Sequence, residues 1–213
     1  MKLAFFAAAA LIALAAAAPS AHAQVFGQLS PAQPIDLNTR LGGGFVSFTK
    51  SESELLGQLR MSFHPGVDFG FQGGLSRVSV ANVNRTSVQL GGDVKALLVR
   101  AGNAAPLDIS LGGAIGIASA DDFTVLSVGP SLVASRRIAF ATGAGLTPFA
   151  GALLLFSRSD LATGNKTDVA IPVRFGLEYS PMPDIRILGA LQVGVSDDIR
   201  DDLKFTLGAN FPF

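Results

Sequence analysis

His64 and three pairs of aspartates are the residues whose types and spacing best suit chemistry. A histidine is the usual general acid or base near neutral pH, and His64 is the one histidine beyond residue 23. The pairs Asp121-Asp122, Asp197-Asp198 and Asp201-Asp202 offer the oxygen ligands that calcium takes. His64 belongs to a His-Pro-Gly turn, however, and the acids belong to loops. We therefore predict no enzyme, no cofactor and no metal site, with calcium binding by the acidic loops left as an alternative.

Length, composition and charge narrow the class of protein. The chain has 213 residues, of which 49% are hydrophobic and 15% are charged, and it contains no cysteine. A chain of this length predicts about one domain. Sixteen basic residues balance sixteen acidic ones, so no strong overall field points to nucleic acid. Without cysteine, a thiolate zinc site and a disulfide scaffold are both excluded.

The first 23 residues have the anatomy of a secretory signal peptide. Met1-Lys2 is positive, the run from Leu3 to Ala18 is apolar, and Ala21-His22-Ala23 is a small-x-small cleavage site. An uncleaved anchor is the alternative, although the run is shorter than the ~20 residues that a spanning helix needs. We expect cleavage after Ala23, a flexible periplasmic lead-in over residues 24–36, which contain two prolines, and one domain over residues 37–213.

Period-two alternation is the strongest signal in the remaining chain. In the last eleven residues one face is apolar and the other mostly polar, as a strand with different environments on its two sides requires. The apolar face holds Leu203, Phe205, Leu207, Ala209, Phe211 and Phe213, and the other holds Lys204, Thr206, Gly208, Asn210 and Pro212. The pattern recurs over residues 87–98 and 169–180.

The whole chain, interpreted in this way, gives about ten strands. The predicted spans are 39–48, 54–63, 67–76, 86–99, 107–118, 123–134, 138–156, 167–179, 185–196 and 203–213. The seventh is too long, and Thr147-Pro148 is an alternative strand start. Pro130 and Pro172 argue against their strands, because proline removes a ladder hydrogen bond. Merging doubtful segments would leave eight strands.

About ten strands of this length, or eight in the alternative, predict an all-β fold. The expected architecture is a closed antiparallel up-and-down transmembrane β-barrel. Transmembrane strands need ~9–11 residues, and closure pairs every backbone group that faces lipid. A soluble periplasmic lipocalin-like barrel or sandwich is the rival, in which the apolar faces would point inward. Periodicity alone does not choose between the two folds.

The C-terminal residues carry a resemblance to a known family. Thr206, Gly208, Phe211 and Phe213 match the polar-x-Gly-x-x-aromatic-x-aromatic ending of Gram-negative outer-membrane barrels. The segment Thr147-Pro148-Phe149-Ala150-Gly151 is similar to strand starts of small OmpA/OmpW-like barrels. The resemblance implies an outer-membrane location, contact with lipid and lipopolysaccharide, and biogenesis through periplasmic chaperones and the barrel-assembly machinery. The chain has no Trp and one Tyr, so an aromatic girdle would consist of Phe.

The polar faces predict what fills the barrel. Their phase places four positive and four negative groups inside, near the periplasmic turns, whereas small residues of the outer halves predict a wider vestibule there. The eight groups are Arg60, Asp68, Asp93, Lys95, Asp108, Arg174, Glu178 and Arg186. Balanced signs favour a salt-bridged layer that closes the lumen, since unpaired charge in a narrow lumen is costly.

A closed outer-membrane barrel of this kind is expected to have a structural or surface-interaction role. We expect the protein to be a monomer. A narrow passive channel, or porin, for small or hydrophobic solutes is the alternative, because a lumen lined by charge can also conduct. An outer-membrane enzyme comes third, since His64 is expected on the periplasmic side, far from the outer rim of the barrel.

Overall fold

The computed structural model describes residues 29–80, 83–120, 123–161, 164–182, 184–195 and 203–213. The expected signal peptide, the first residues of the lead-in and the three aspartate pairs lie outside these ranges.

The described ranges contain thirteen strands. They are β1 (Arg40–Phe48), β2 (Glu52–His64), β3 (Val67–Val80), β4 (Val83–Val99), β5 (Asp108–Ala120), β6 (Phe123–Ser135), β7 (Ile138–Ala139), β8 (Gly145–Leu153), β9 (Leu155–Leu161), β10 (Gly164–Ala170), β11 (Pro172–Met182), β12 (Ile185–Gly194) and β13 (Lys204–Pro212). Within the described ranges no helix has the length and apolarity to cross a membrane.

Ten of these strands close into an antiparallel barrel, as the alternation predicts. Neighbours in the chain pair from β1 to β6, β6 pairs with β8, and β8, β11, β12 and β13 follow in turn. The ring closes where β13 pairs with β1, from Leu41↔Pro212 to Phe48↔Phe205. Strands β9 and β10 continue β8 and β11 as a hairpin, and the two-residue β7 pairs with β8. The alternative of eight strands is therefore wrong.

The predicted seventh strand is misplaced. Its two parts are separated by a turn at Ala141–Gly143, where Gly143 has a φ of 87°. The transmembrane-length strand begins at Gly145, close to the alternative start at Thr147-Pro148, and continues through β9 to Leu161. Residues 77–85 and 157–166, which lie between the predicted strands, belong mostly to the β3–β4 and β9–β10 hairpins instead.

Both suspect prolines lie in strands, beside interruptions of the ladder. Pro130 sits opposite Gly113 of β5, and on its other side its carbonyl accepts a hydrogen bond from Leu154 N at 3.0 Å. Leu154 separates β8 from β9, and Ile171, just before Pro172, separates β10 from β11. Because proline has no N–H to donate, regular pairing stops at these points and resumes in the same register beyond them.

The two faces of the strands differ in the predicted sense. Leu90 is 57% exposed on the outside, whereas the preceding Gln89 is 4% exposed and points into the lumen. The Phe and Leu residues of β13 and the apolar row of β11 are likewise exposed, and their polar neighbours are buried. The apolar faces therefore form the outer wall, which is the opposite of a lipocalin-like arrangement.

Candidate functional site

The lumen is the candidate functional site, and an ion-pair cluster lies near one of its ends. We call this the lower end, where β1 begins and the His64–Val67 turn joins β2 to β3; the opposite end is the upper end. Arg60 of β2 and Lys95 of β4 are each 1% exposed there. Arg60 Nη2 lies 2.5 Å from Asp68 Oδ1 and 2.8 Å from Asp93 Oδ2, and Lys95 Nζ lies 3.4 Å from Asp68 Oδ2. We call these four residues the Arg60 cluster.

Strand register explains why the cluster forms. Gly70 of β3 is paired with Arg60 on one side and with Asp93 on the other. A Cβ at Gly70 would occupy the space of Asp93 Oδ1 and Arg60 Nη1. The missing side chain therefore lets the guanidinium contact Asp68 of β3 and Asp93 of β4 at the same time. With two positive and two negative groups, the cluster is neutral overall.

An N-terminal piece of chain is held inside the barrel beside this cluster. Residues 29–32, 34 and 35 are buried, and we call residues 29–36 the inner segment. Lys95 Nζ donates to Ser30 Oγ at 2.9 Å and to the Pro31 carbonyl at 2.6 Å. Ile35 N donates to Asp68 Oδ2 at 3.1 Å. The sequence predicts a flexible lead-in here, whereas in the structure charged side chains of the wall bind Ser30, Pro31 and Ile35 inside the barrel.

The other four predicted lumen charges do not join the cluster. Asp108, at the start of β5, accepts a hydrogen bond from Ala101 N at 2.8 Å and so ties down a turn. Glu178 and Arg186 form a separate, looser pair at 4.0 Å. Arg174 lies farther up β11, where its Nη2 donates to Gln192 Oε1 at 2.7 Å. One side of the predicted layer is thus tightly paired and the rest is dispersed.

A second polar group near the upper end was missed by the sequence analysis. Lys204 Nζ lies 2.6 Å from Glu54 Oε2, and Gln89 Nε2 donates to Glu54 Oε1 at 3.3 Å. Ser47 and Thr206 share a hydrogen bond at 2.9 Å across the β1–β13 closure. The alternation placed Lys204 on the polar face, but its partner lies on β2, beyond β1, so spacing along the chain gave no signal for the pair.

Two clusters of buried apolar side chains accompany these polar groups. Leu29, Ala32, Phe45, Leu56, Val133, Phe149, Leu188 and Ala190 form one buried cluster, and Ala114, Leu153, Leu155 and Ala170 form another. The expected wide outer vestibule is wrong in this region, because the small residues Ala118 and Ser127 are themselves almost fully buried. A prediction that assigns every apolar row to the outside does not identify the inward-facing Phe and Leu residues.

His64, the histidine considered for catalysis, lies in the turn that joins β2 to β3. His64 is exposed at the lower end, and its Nδ1 lies 3.1 Å from the carbonyl oxygen of the adjacent Pro65. Among the described residues, no group of three His, Cys, Asp or Glu side chains is arranged to hold a metal ion. The aspartate pairs lie outside the described part of the chain, so calcium binding there stays a prediction.

Comparison with known proteins gives matches to solved structures alone. No protein-family model matches the chain, and no curated protein matches it. A bacterial polysaccharide outer membrane secretin has a TM-score of 0.47 at 12% identity, over 84% of this chain and 67% of its own. An outer membrane channel from Pseudomonas putida F1 has a TM-score of 0.43 at 8% identity, over 89% of this chain and 100% of its own. The N-terminal β-barrel domain of Pseudomonas aeruginosa OprF scores 0.38 at 11% identity, over 83% and 98% respectively.

The chain is similar in fold to outer-membrane β-barrels. The likeness concerns the closed antiparallel barrel, and the lumen residues described above have to be interpreted from this chain alone. The role of Thr206, Gly208, Phe211 and Phe213 as an assembly signal stays a prediction.

Proposed function

We propose that this protein is an integral outer-membrane barrel with a structural or surface-interaction role and a closed lumen. The exposed apolar wall supports the membrane location, since an apolar surface of this extent is unfavourable in water. Exposed Phe residues lie near both ends of the wall, for example Phe48 and Phe205 above and Phe63 and Phe211 below. Aromatic side chains at these heights suit the two interfaces of a bilayer.

The observation that carries closure is the inner segment bound to the Arg60 cluster. The segment occupies the lumen beside the paired charges, and its Ser30, Pro31 and Ile35 are hydrogen-bonded to Lys95 and Asp68. Breaking these contacts would expose buried charge without its partners, which is costly. We infer that the lower end is closed in the resting protein.

A narrow passive channel is the second candidate. Buried side-chain atoms of Ser110, Ser131 and Gln192 have no hydrogen-bond partner within the protein. Such atoms favour bound water, and a file of water through the lumen would support slow passage of small solutes. Catalysis is the third and weakest candidate, because His64 faces solvent at the lower end.

The partners that follow from this proposal belong to the membrane and to biogenesis. Outer-membrane lipids and lipopolysaccharide would contact the wall. Periplasmic chaperones and the barrel-assembly machinery would act before insertion, and the folded protein would be a monomer that binds no nucleic acid.

Conductance in planar bilayers separates the closed barrel from the channel. The wild-type protein should be silent, whereas Arg60→Ala and a variant that lacks residues 29–36 should open measurable pores. Arg158→Ala is the matched control, because Arg158 forms an exposed pair with Asp160 on the β9–β10 hairpin. A wild-type protein that conducts as well as both variants do would favour the channel and overturn closure.

A further inference from the structure

Three arginines surround a cavity on the rim of the lower end, which we call the arginine pocket. Arg100 lies in the connection between β4 and β5, and Arg136 and Arg137 lie between β6 and β7. All three side chains are exposed. The cavity measures about 270 Å³. The rest of its lining consists of Gln33 of the inner segment, Ala101, Gly102 and Asp108, which is the one carboxylate among them.

Hydrogen bonds on both sides of the arginine pocket fix its shape. On one side the buried Asp108 accepts a hydrogen bond on Oδ1 from Ala101 N at 2.8 Å, which holds the turn that follows Arg100. On the other side Ala32 N donates to Ser135 Oγ at 3.0 Å, which holds the inner segment against the end of β6. A site whose groups are already held in place loses less conformational entropy when a ligand binds.

The positive charge of the pocket is not neutralised by the protein around it. In the described part of the chain, no ion pair includes any of its three arginines. The Arg136 guanidinium donates to the Pro106 carbonyl, which leaves its charge in place. Glu178 acts electrostatically on Arg137, but it is paired with Arg186 at 4.0 Å. The field of the pocket therefore favours an anion, and planar guanidiniums suit the oxygens of a phosphate group.

The apolar wall ends beside these arginines. Val99, which precedes Arg100, is 37% exposed, and Ile138, which follows Arg137, is 47% exposed. Phe140 is 44% exposed close by along the chain. In a bilayer these side chains would meet hydrocarbon while the guanidiniums lie at the height of the headgroups, where basic pockets bind anionic lipids.

We propose that the arginine pocket binds the phosphate of one anionic phospholipid, such as phosphatidylglycerol, whose acyl chains lie along the wall at Ile138 and Phe140. This proposal rests on the membrane location proposed above. A volume of 270 Å³ is just below the range of about 300–1,000 Å³ typical of small-molecule sites, so the pocket admits a single headgroup. The amide of Gln33 adds a neutral donor, so the bound headgroup would contact the inner segment as well as the wall.

Calorimetric titration of the folded barrel in uncharged detergent micelles with dihexanoyl phosphatidylglycerol tests this site. We expect saturable binding of one lipid per chain, and about tenfold weaker binding of dihexanoyl phosphatidylcholine, whose headgroup has no net charge. Arg100→Gln combined with Arg137→Gln should weaken phosphatidylglycerol binding by about tenfold or more, since each arginine near a membrane surface contributes severalfold. This double variant keeps the bond from Arg136 to Pro106. If it does not fold, Arg100→Gln alone should still weaken binding severalfold.

A matched control removes the same charge elsewhere. Arg40→Gln combined with Arg158→Gln changes two exposed arginines outside the pocket and should bind phosphatidylglycerol as the wild type does. Sodium phosphate separates a lipid site from a site for the free anion, and we expect it to bind about tenfold more weakly because it has no acyl chains to bury.

Several results would overturn the proposal. These are equal affinity for the two lipids, equal affinity for phosphatidylglycerol and inorganic phosphate, and equal loss of binding in the two double variants. Electrophoresis of each sample with and without boiling reports whether the barrel is folded. A wild type without a folded form would count against the membrane barrel and this site together, whereas a folded barrel without lipid preference would overturn this site alone.

Discussion

The ring of Phe45 lies over Gly208 where the first and last strands of the barrel close. The two residues are directly paired between β1 and β13, and the ring atoms of Phe45 occupy the place that a Cβ of Gly208 would take. Phe45 is thereby buried in the lumen, within the apolar cluster that contains Leu188. The glycine of the C-terminal motif therefore has a packing role that is separate from any role in assembly.

We predict that Gly208→Ala destabilises the folded barrel by about 1–3 kcal/mol, the usual cost of overpacking a core. The added methyl overlaps both the Phe45 ring and the carbonyl oxygen of Gly44, so both must move. Urea titration of barrels folded in vesicles, followed by electrophoresis without boiling, measures the change. Gly44→Ala is the control, because its added Cβ would have no atom closer than 4.0 Å. Equal stability of the two variants would contradict the packing role.

The wall could be predicted from the sequence, and much of the lumen could not. The two-residue period fixes which side chains share a face, so the exposure of Phe205 and Leu207 and the burial of Lys204 and Thr206 follow directly. The period makes no prediction for Phe45, because β1 carries glycine and apolar residues on both faces. It also makes none for the inner segment, whose burial depends on hydrogen bonds to side chains from distant strands and has no local pattern.

The candidate site was predicted to the same limited degree. Phase placed Arg60, Asp68, Asp93 and Lys95 inside, but only the strand register brings them within bonding distance across Gly70. A small cavity of the lumen is lined by residues that are uncharged apart from Arg174, among them Ser30, Phe149 and Gln192. Nothing in their spacing along the chain marks them as neighbours.

The second prediction compares a buried ion pair with an exposed one. Arg60→Ala should lower the free energy of unfolding by about 3–5 kcal/mol, because it leaves two buried carboxylates with fewer partners. Arg158→Ala should change it by about 0–1 kcal/mol, since the pair with Asp160 is well exposed to solvent. Urea titration in vesicles measures both, and similar values for the two variants would mean that the Arg60 cluster is weak.

The third prediction concerns coupling between Glu54 and Lys204. In each single variant, Glu54→Gln or Lys204→Met, a buried charge loses its nearest opposite charge, so each variant should be more destabilising than expected from independent sites. The double variant should recover part of that loss, which gives a coupling energy of about 0.5–3 kcal/mol in a double-mutant cycle. Strict additivity of the two changes would show that the 2.6 Å contact contributes nothing.

The fourth prediction concerns a charge placed on the outer wall. Leu90→Arg, in the middle of β4, should cost about 2–4 kcal/mol in a bilayer, as expected for a cation near the midplane. The fraction of protein that folds into vesicles, measured by electrophoresis with and without boiling, should fall accordingly. Leu107→Arg, in the turn before β5, should fold as the wild type does. Efficient folding of Leu90→Arg would be inconsistent with a lipid-facing wall.

Lipid quenching of a single attached fluorophore tests the orientation of the wall most directly. The chain has no cysteine, so Leu90→Cys and Gly102→Cys each provide one labelling site, on the wall and on an exposed turn respectively. In vesicles whose acyl chains carry a quencher near the bilayer centre, we predict strong quenching and a blue-shifted emission for the label at residue 90. The label at residue 102 should be unaffected. Equal, water-like emission from both labels would contradict a barrel whose apolar face lies in hydrocarbon.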